Sequence, residues 1–115
     1  MGIAFVSLVV SALLEASGPD CEAVNARANE AGIRIPGHSA IYEVVGHGRL
    51  QFYSGPSAAC VVPGVFIVRK DRVIAYVEYG GYTFVLFTNS KEGGEALGWV
   101  RTERLRATGE GISPR

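Results

Sequence analysis

The chain has no excess of either charge. Among its 115 residues, 11 lysines and arginines balance 11 aspartates and glutamates, which leaves a formal net charge of zero with histidine neutral. Nucleic-acid-binding proteins usually carry a basic excess or a basic stripe, so we predict no nucleic-acid partner. At 48% hydrophobic and 19% charged residues, the chain is also too apolar to be intrinsically disordered.

Metal-ligand and cofactor-binding patterns are missing as well. The chain has two cysteines and two histidines, and neither His38 nor His47 stands at a ligand spacing from another candidate ligand. Two cysteines alone cannot build a four-ligand zinc site or a scaffold of several disulfides. No segment resembles a phosphate-binding loop or a dinucleotide-binding fingerprint. We therefore predict no metal, no cofactor and no catalytic residues.

One apolar run stands near the N-terminus. Residues 3–14 contain no charged side chain, and the run is shorter than the about 20 residues that span a bilayer. Because small residues follow at Ala16, Ser17 and Gly18, residues 1–18 are typical of a secretory signal peptide, although no positive charge precedes the apolar run. A buried helix is the alternative. Cleavage would leave a periplasmic or secreted protein without a stable membrane span.

Export to an oxidising compartment would determine whether the two cysteines form a disulfide or stay as free thiols. An even cysteine count and an oxidising compartment favour one disulfide between Cys21 and Cys60. The alternative is a free, reactive Cys60 thiol, which would suit a small Cys-dependent hydrolase. No histidine lies close to Cys60 in the sequence to activate it, so we favour the disulfide.

Helix, turn and strand signals organise the rest of the chain. Residues 20–31 predict a short helix that Asp20 caps and Gly32 ends, within a helix and linker segment over residues 19–40. Fifteen glycines and five prolines indicate many tight turns. Five or six short strands over residues 41–107 predict a mostly β fold, a small barrel. Residues 108–115 are expected to form a flexible tail.

The clearest strand signal lies over residues 72–79, which a Gly80-Gly81 turn follows. Side chains alternate between the two faces of a strand. The alternation therefore predicts one face that carries Val73, Ala75, Val77 and Tyr79. Because the opposite face also carries apolar groups, an exposed aromatic patch is expected on the barrel.

Five anchors recur in order along residues 49–105. They are Leu50 to Ser57 with its Gly-Pro-Ser turn, Lys70-Asp71-Arg72-Val73, Gly80 to Val85, Gly98-Trp99-Val100, and Thr102 to Leu105. This ordered set resembles the bacterial SH3-like domain, which implies a barrel of five to six strands and recognition of cell-wall peptides or protein segments. The chain departs from the family pattern at two places. Lys70 stands where the family commonly has glycine, so the turn there can have another geometry. The segment around Cys60 and Pro63 is not part of the family pattern.

Aromatic and arginine side chains are the candidate ligand contacts. Exposed aromatic patches suit peptides and sugar rings, and arginine binds carboxylates and phosphates with paired donors. The alternatives are that the N-terminal segment covers the aromatic patch and that the arginines are solvated surface charges. The predicted ligand-binding residues are Tyr53, Tyr76, Tyr82, Trp99, Arg72 and Arg101. In the polar loop at residues 89–95, the predicted protein contacts are Asn89, Lys91, Glu92 and Glu95.

These features favour one function and leave two alternatives. We expect a non-catalytic, exported binding module that recognises a peptidoglycan peptide or an envelope protein. The first alternative is an inhibitor or immunity protein that blocks a secreted cell-wall hydrolase or toxin through the loop at residues 89–95. The second is the hydrolase that uses Cys60, which a disulfide at that residue would exclude.

Overall fold

The structure is a computed structural model that describes residues 20–89 and 93–114, and these form one helix and eight strands. Short 3-10 turns stand at Gly37–Ser39, Ala58–Cys60 and Thr102–Arg104. The predicted signal segment, residues 1–18, lies outside the described residues. Within the described ranges, no helix has the length and apolar character needed to cross a membrane. The helix is α1 (Cys21–Ala31), and the strands are β1 (Ile33–Arg34), β2 (Ile41–Val44), β3 (Leu50–Tyr53), β4 (Val61–Ile67), β5 (Arg72–Tyr79), β6 (Tyr82–Asn89), β7 (Gly94–Arg101) and β8 (Leu105–Ala107).

Helix α1 begins and ends at the residues that the sequence indicates. The Asp20 carboxylate accepts a hydrogen bond of 3.2 Å from the Ala23 amide, which satisfies one of the free donors of the first turn. The Gly32 amide donates to the Ala28 carbonyl at 2.8 Å. A Cβ atom at position 32 would lie 2.4 Å from Cγ1 of Val77. Gly32 therefore both ends the helix and lets the chain pass close to the sheet.

The strands form one curled antiparallel sheet in the order β4-β3-β7-β6-β5-β2-β8, with β1 beside β5. Strands β6 and β7 are paired along their whole length, from Tyr82 opposite Arg101 to Asn89 opposite Gly94. The sheet curls into a half-barrel. A mostly β, barrel-like fold with one short helix is therefore confirmed at this coarse level.

The sheet has more strands than the predicted five or six, because two short segments join it. Strand β1 lies in the predicted linker and places Ile33 opposite Glu78 of β5. Strand β8 follows the last 3-10 turn and places Leu105 opposite Val44 of β2. Segments of two and three residues are too short to show an alternating pattern.

The segment after β8, which the sequence predicts as a flexible tail, is hydrogen-bonded to the barrel as far as Ile112. The Ile112 amide donates to the Gly37 carbonyl at 2.8 Å, and the Thr108 amide donates to the Ile41 carbonyl at 3.2 Å. A Cβ atom at Gly111 would lie 2.2 Å from the carbonyl carbon of His38. Glycine at this position therefore permits close backbone packing.

The sheet packs a separate apolar cluster on each face. We call the cluster inside the curl the inner core and the cluster on the other face, beneath α1, the outer cluster. The buried residues of the inner core are Val44, Leu50, Phe52, Ile67, Val73, Ala75, Val85 and Val100. The outer cluster contains buried Ala28, Val77, Tyr82 and Trp99, with Tyr53, Tyr76 and Phe84 packed against them.

A β-bulge lets strand β5 serve both clusters. The pairing with β6 shifts between Ala75 and Val77 and leaves Tyr76 without a partner on β6. Val73 and Ala75 belong to the inner core, whereas Val77 belongs to the outer cluster. The prediction that both sets share one face with Tyr79 is therefore wrong, because one extra residue reverses the alternation.

Candidate binding surface

The outer cluster and its edge bring together five of the six predicted ligand-binding residues. Tyr53 of β3 lies opposite Trp99 of β7, and Arg101 of β7 lies opposite Tyr82 of β6. Tyr76, at the bulge of β5, packs against the same cluster. Antiparallel pairing of β3, β7 and β6 thus places these side chains on one face of the sheet.

Trp99 stands at the centre of this cluster and is fully buried, with 0% of its surface exposed. Its indole Nε1 donates a hydrogen bond of 2.8 Å to Oδ1 of Asn25 in α1, which satisfies the polar atom of the ring. The Trp99 ring centroid lies 5.2 Å from that of Phe84. At Trp99, therefore, the N-terminal segment does cover the aromatic patch, and the ring offers no surface to a ligand in this structure.

A disulfide attaches α1 to the barrel. It joins Cys21, the first residue of the helix, to Cys60 in the turn before β4, with the Cα atoms 5.8 Å apart. The predicted pairing is confirmed. Both cysteines are bonded, so the hydrolase alternative has no thiolate nucleophile at Cys60.

At the edge of the outer cluster, four neighbouring residues form a group that we call the aromatic rim: Tyr53, Tyr79, Tyr82 and Arg101. The Tyr53 and Tyr82 rings meet edge to face, with centroids 5.2 Å apart. The Arg101 guanidinium carbon lies 5.0 Å from the Tyr82 centroid, and Nη1 donates to the Tyr82 hydroxyl at 3.1 Å. Tyr79, which lies opposite Tyr82 in the β5–β6 pairing, is 39% exposed, whereas Tyr82 is only 5% exposed.

The charge of the rim resides on Arg101. Its hydrogen bond to Tyr82 is the main reason that the pKa of this guanidinium lies above its ordinary value. Glu103 forms an exposed ion pair with it at 3.7 Å, and exposed pairs of this kind contribute little to stability. The rim therefore presents a permanent cation beside two tyrosine rings.

Arg72 is the predicted ligand-binding residue that lies apart from the rim. It stands at the first position of β5 and forms an ion pair of 3.2 Å with Glu110, in the segment after β8. Both side chains are more than half exposed. In this structure Arg72 therefore pairs with that segment and does not join the rim. Whether any of the six residues binds a ligand stays a prediction.

The predicted partner loop divides between described and undescribed residues. Lys91 and Glu92 lie outside the described residues. Asn89 and Glu95, at the ends of β6 and β7, line a cavity of about 220 Å³ together with Phe66 of β4. The described ends of this loop thus lie next to an exposed aromatic side chain that is not among the predicted contacts.

The exposure of Phe66 is not predictable from the sequence, because strand β4 is irregular. Pro63 precedes Gly64, which has a positive φ of 80°, and the pairing of β4 with β3 shifts across this stretch. The break hides the alternation that would have marked Phe66 as facing solvent. Phe66 is 36% exposed, and the Arg49 guanidinium lies 4.3 Å from its ring centroid.

Within residues 20–89 and 93–114, no group of three or more His, Cys, Asp and Glu side chains is placed to hold a metal ion. Comparisons with protein-family models, curated proteins and solved structures find no match to this chain. The chemistry of the aromatic rim and of the loop end is therefore the basis for inferring function.

Proposed function

We propose that the protein is an exported, non-catalytic binding module of the bacterial SH3-like type, which recognises a cell-wall peptide or a segment of an envelope protein with the aromatic rim. The observation that supports this proposal most directly is the close grouping of Tyr53, Tyr82 and Arg101, with spacings of 5.2 Å and 5.0 Å. The disulfide fits export, because disulfides persist in oxidising compartments.

The rim has the chemistry that peptide recognition needs. Tyrosine offers a large apolar area and a hydroxyl at a low cost in conformational entropy. Arginine pairs with carboxylates and carbonyls through several donors in a fixed geometry. Strands β3, β6 and β7 hold these groups in place, and α1 is bonded covalently above them. A preorganised surface loses little free energy to ordering when a ligand binds.

Sedimentation with purified, insoluble peptidoglycan tests this proposal. The test variant replaces two accessible rim residues, Tyr53→Ala and Arg101→Ala, and leaves the buried Trp99 in place. The matched control is Arg27→Ala, which removes an exposed arginine of α1 outside the rim. We expect the unaltered chain and the control to sediment with peptidoglycan and the double variant to stay in solution.

Two outcomes would count against the proposal. Equal sedimentation of the double variant and the unaltered chain would show that the rim is not the binding surface. If the unaltered chain bound neither peptidoglycan nor any protein of an envelope extract, the binding-module function itself would be overturned. Circular dichroism of each variant would show that the fold is retained.

The inhibitor or immunity function is the second candidate, and the loop end supports it. Asn89, Glu95 and exposed Phe66 combine polar and aromatic groups around one cavity, which is the composition of many protein–protein contacts. This function predicts a single stoichiometric partner in an envelope extract. Phe66→Ala with Glu95→Ala would release that partner, whereas the rim variant would still bind it.

A further inference from the structure

A cavity remote from the rim residues is surrounded by basic side chains. It has a volume of about 360 Å³ and lies where β2 ends, and we call it the basic cavity. The lining residues that matter here are Glu43, Val44, Val45, Arg69, Lys70 and Arg106. We propose that the basic cavity binds the carboxylate of a small aliphatic peptide end.

The positive charge comes from two sides of the cavity. Arg69 and Lys70 stand in the turn between β4 and β5, and Arg106 stands on β8, on the other side of β2. All three are exposed. Glu43 is the one carboxylate among the lining residues, and it already contacts Arg106 Nη2. Since a guanidinium has five donors, Arg106 can serve Glu43 and a ligand together.

The backbone of Lys70 gives a second, independent indication. With φ at 79°, it is the one non-glycine residue among residues 20–89 and 93–114 that has a positive φ. Its amide donates to the Val44 carbonyl at 2.9 Å, and the Asp71 carboxylate accepts from the Val68 amide at 2.8 Å. These bonds hold a turn that glycine would adopt without strain. Strained residues cluster at functional sites, and Lys70 lines the cavity, so this conformation supports a functional role for Lys70.

The opposite wall of the cavity is preformed. Arg104 donates from Nε to the Val45 carbonyl at 2.6 Å and from Nη2 to the Gly48 carbonyl at 2.9 Å, which fixes the loop at residues 46–48. A Cβ atom at Gly46 would lie 2.7 Å from Arg104 Nε, so this loop can approach the arginine closely only with glycine there. A preformed wall lowers the cost of ordering on binding.

The size and lining of the cavity suit a peptide end better than a bare ion. Its volume lies within the range of small-molecule sites, so it can hold an aliphatic residue as well as the oxyanion. Val45, which is half-buried, contributes apolar surface, while Arg69 and Arg106 supply the donors that carboxylates prefer. None of these residues belongs to the aromatic rim, so this proposal and the proposed function can fail separately.

NMR titration of the full chain tests the proposal with three probes: N-acetyl-dialanine, its C-terminal amide, and inorganic phosphate. We expect saturable shifts of the Lys70 and His47 amides with the free acid, and binding of the amide weaker by about tenfold. Equal binding of acid and amide, or shifts that do not saturate, would overturn the proposal. Tighter binding of phosphate than of the acid would overturn the assignment to a peptide.

Two variants with opposite expected effects make the test specific. Lys70→Gly removes the amine but keeps a residue that accepts positive φ, and it should weaken acid binding by about fivefold to tenfold. Glu43→Gln removes the competing carboxylate and should strengthen binding by about twofold to threefold. Arg27→Gln, an exposed change on α1, should have no effect.

If Lys70→Gly did not weaken acid binding, or if Glu43→Gln did not strengthen it, the proposed site would be contradicted. The rim variant, Tyr53→Ala with Arg101→Ala, should bind the acid as the unaltered chain does. A loss of peptidoglycan binding in that variant, with acid binding intact, would establish two independent surfaces. Loss of both would show that the basic cavity is not independent of the rim and would overturn its separate assignment.

Discussion

The two faces of the sheet are closed by different means. The inner core is mainly aliphatic, and the curl of the sheet itself covers it. The outer cluster is mainly aromatic, and α1 covers it through the Cys21–Cys60 disulfide and the hydrogen bond between Asn25 and Trp99. The inner core thus depends on pairing that runs through the whole sheet. The outer cluster depends on one helix and its attachments, so its cover can be weakened while the sheet persists.

Removing the disulfide should have the largest effect on this comparison. The bond joins residues separated by 39 positions, and the loss of such a cross-link costs about 4 kcal/mol in the chain-entropy model. Urea denaturation of the variant Cys21→Ala with Cys60→Ala would measure this loss. Trp99 is the only tryptophan, so fluorescence quenching by acrylamide should increase as α1 leaves the outer cluster more often. A loss below about 1 kcal/mol would contradict the role given to the bond.

Removing apolar volume from the inner core should lower the free energy of unfolding by less than loss of the disulfide. The two effects should be independent of each other. Val85 is fully buried there, and Val85→Ala should lower the free energy of unfolding by about 2 kcal/mol. The disulfide attaches α1 over the opposite face. Val85→Ala should therefore cost the same free energy of unfolding in chains with and without the disulfide, within about 0.5 kcal/mol. A larger difference between the two backgrounds would show that the faces are coupled.

The hydrogen bond between α1 and Trp99 should have a smaller effect. Asn25→Ala leaves the buried indole N–H without its acceptor, and we expect a loss of about 1 to 2 kcal/mol in urea denaturation. Asn25→Asp keeps an acceptor oxygen and should recover most of the stability. If Asp and Ala were equally destabilising, the loss could not be assigned to the acceptor.

The smallest effect is expected at a turn that belongs to neither face. Lys70→Gly relieves a positive φ of 79° and should stabilise the protein by about 0.5 kcal/mol, since part of the relief is offset by the greater freedom of glycine in the unfolded chain. Thermal denaturation would detect this as a small rise in Tm. A fall in Tm would show that the lysine side chain contributes more to folding than its backbone strain costs.

The sequence predicts those parts of the fold whose signals are local. Asp20 and Gly32 mark the ends of α1, and the strand at residues 72–79 has the predicted bounds. The bulge at Tyr76 gives no such signal, because its neighbours Ala75 and Val77 are apolar on either side. At the β4–β5 turn, Lys70 has a positive φ although no glycine stands there to signal it.

The candidate site was predictable only in part. Aromatic excess indicates a patch, and β pairing does bring Tyr53, Tyr82 and Arg101 together. The burial of Trp99 depends on where α1 lies, and a bond between residues distant in sequence determines that position. Phe66 depends on the irregular path of β4. Both are tertiary effects that no local pattern records.

The bulge in β5 also determines where this strand can change in length. Tyr76 is the extra residue of the bulge, so without it Val77 would follow Ala75 directly and would still lie opposite Phe84. Its deletion would therefore keep the faces of the residues that follow, at the cost of one aromatic ring of the outer cluster. A deletion at another position of β5 would instead exchange the faces of the residues on one side of it. Deletions of one residue should therefore be tolerated at the bulge and rejected elsewhere in β5.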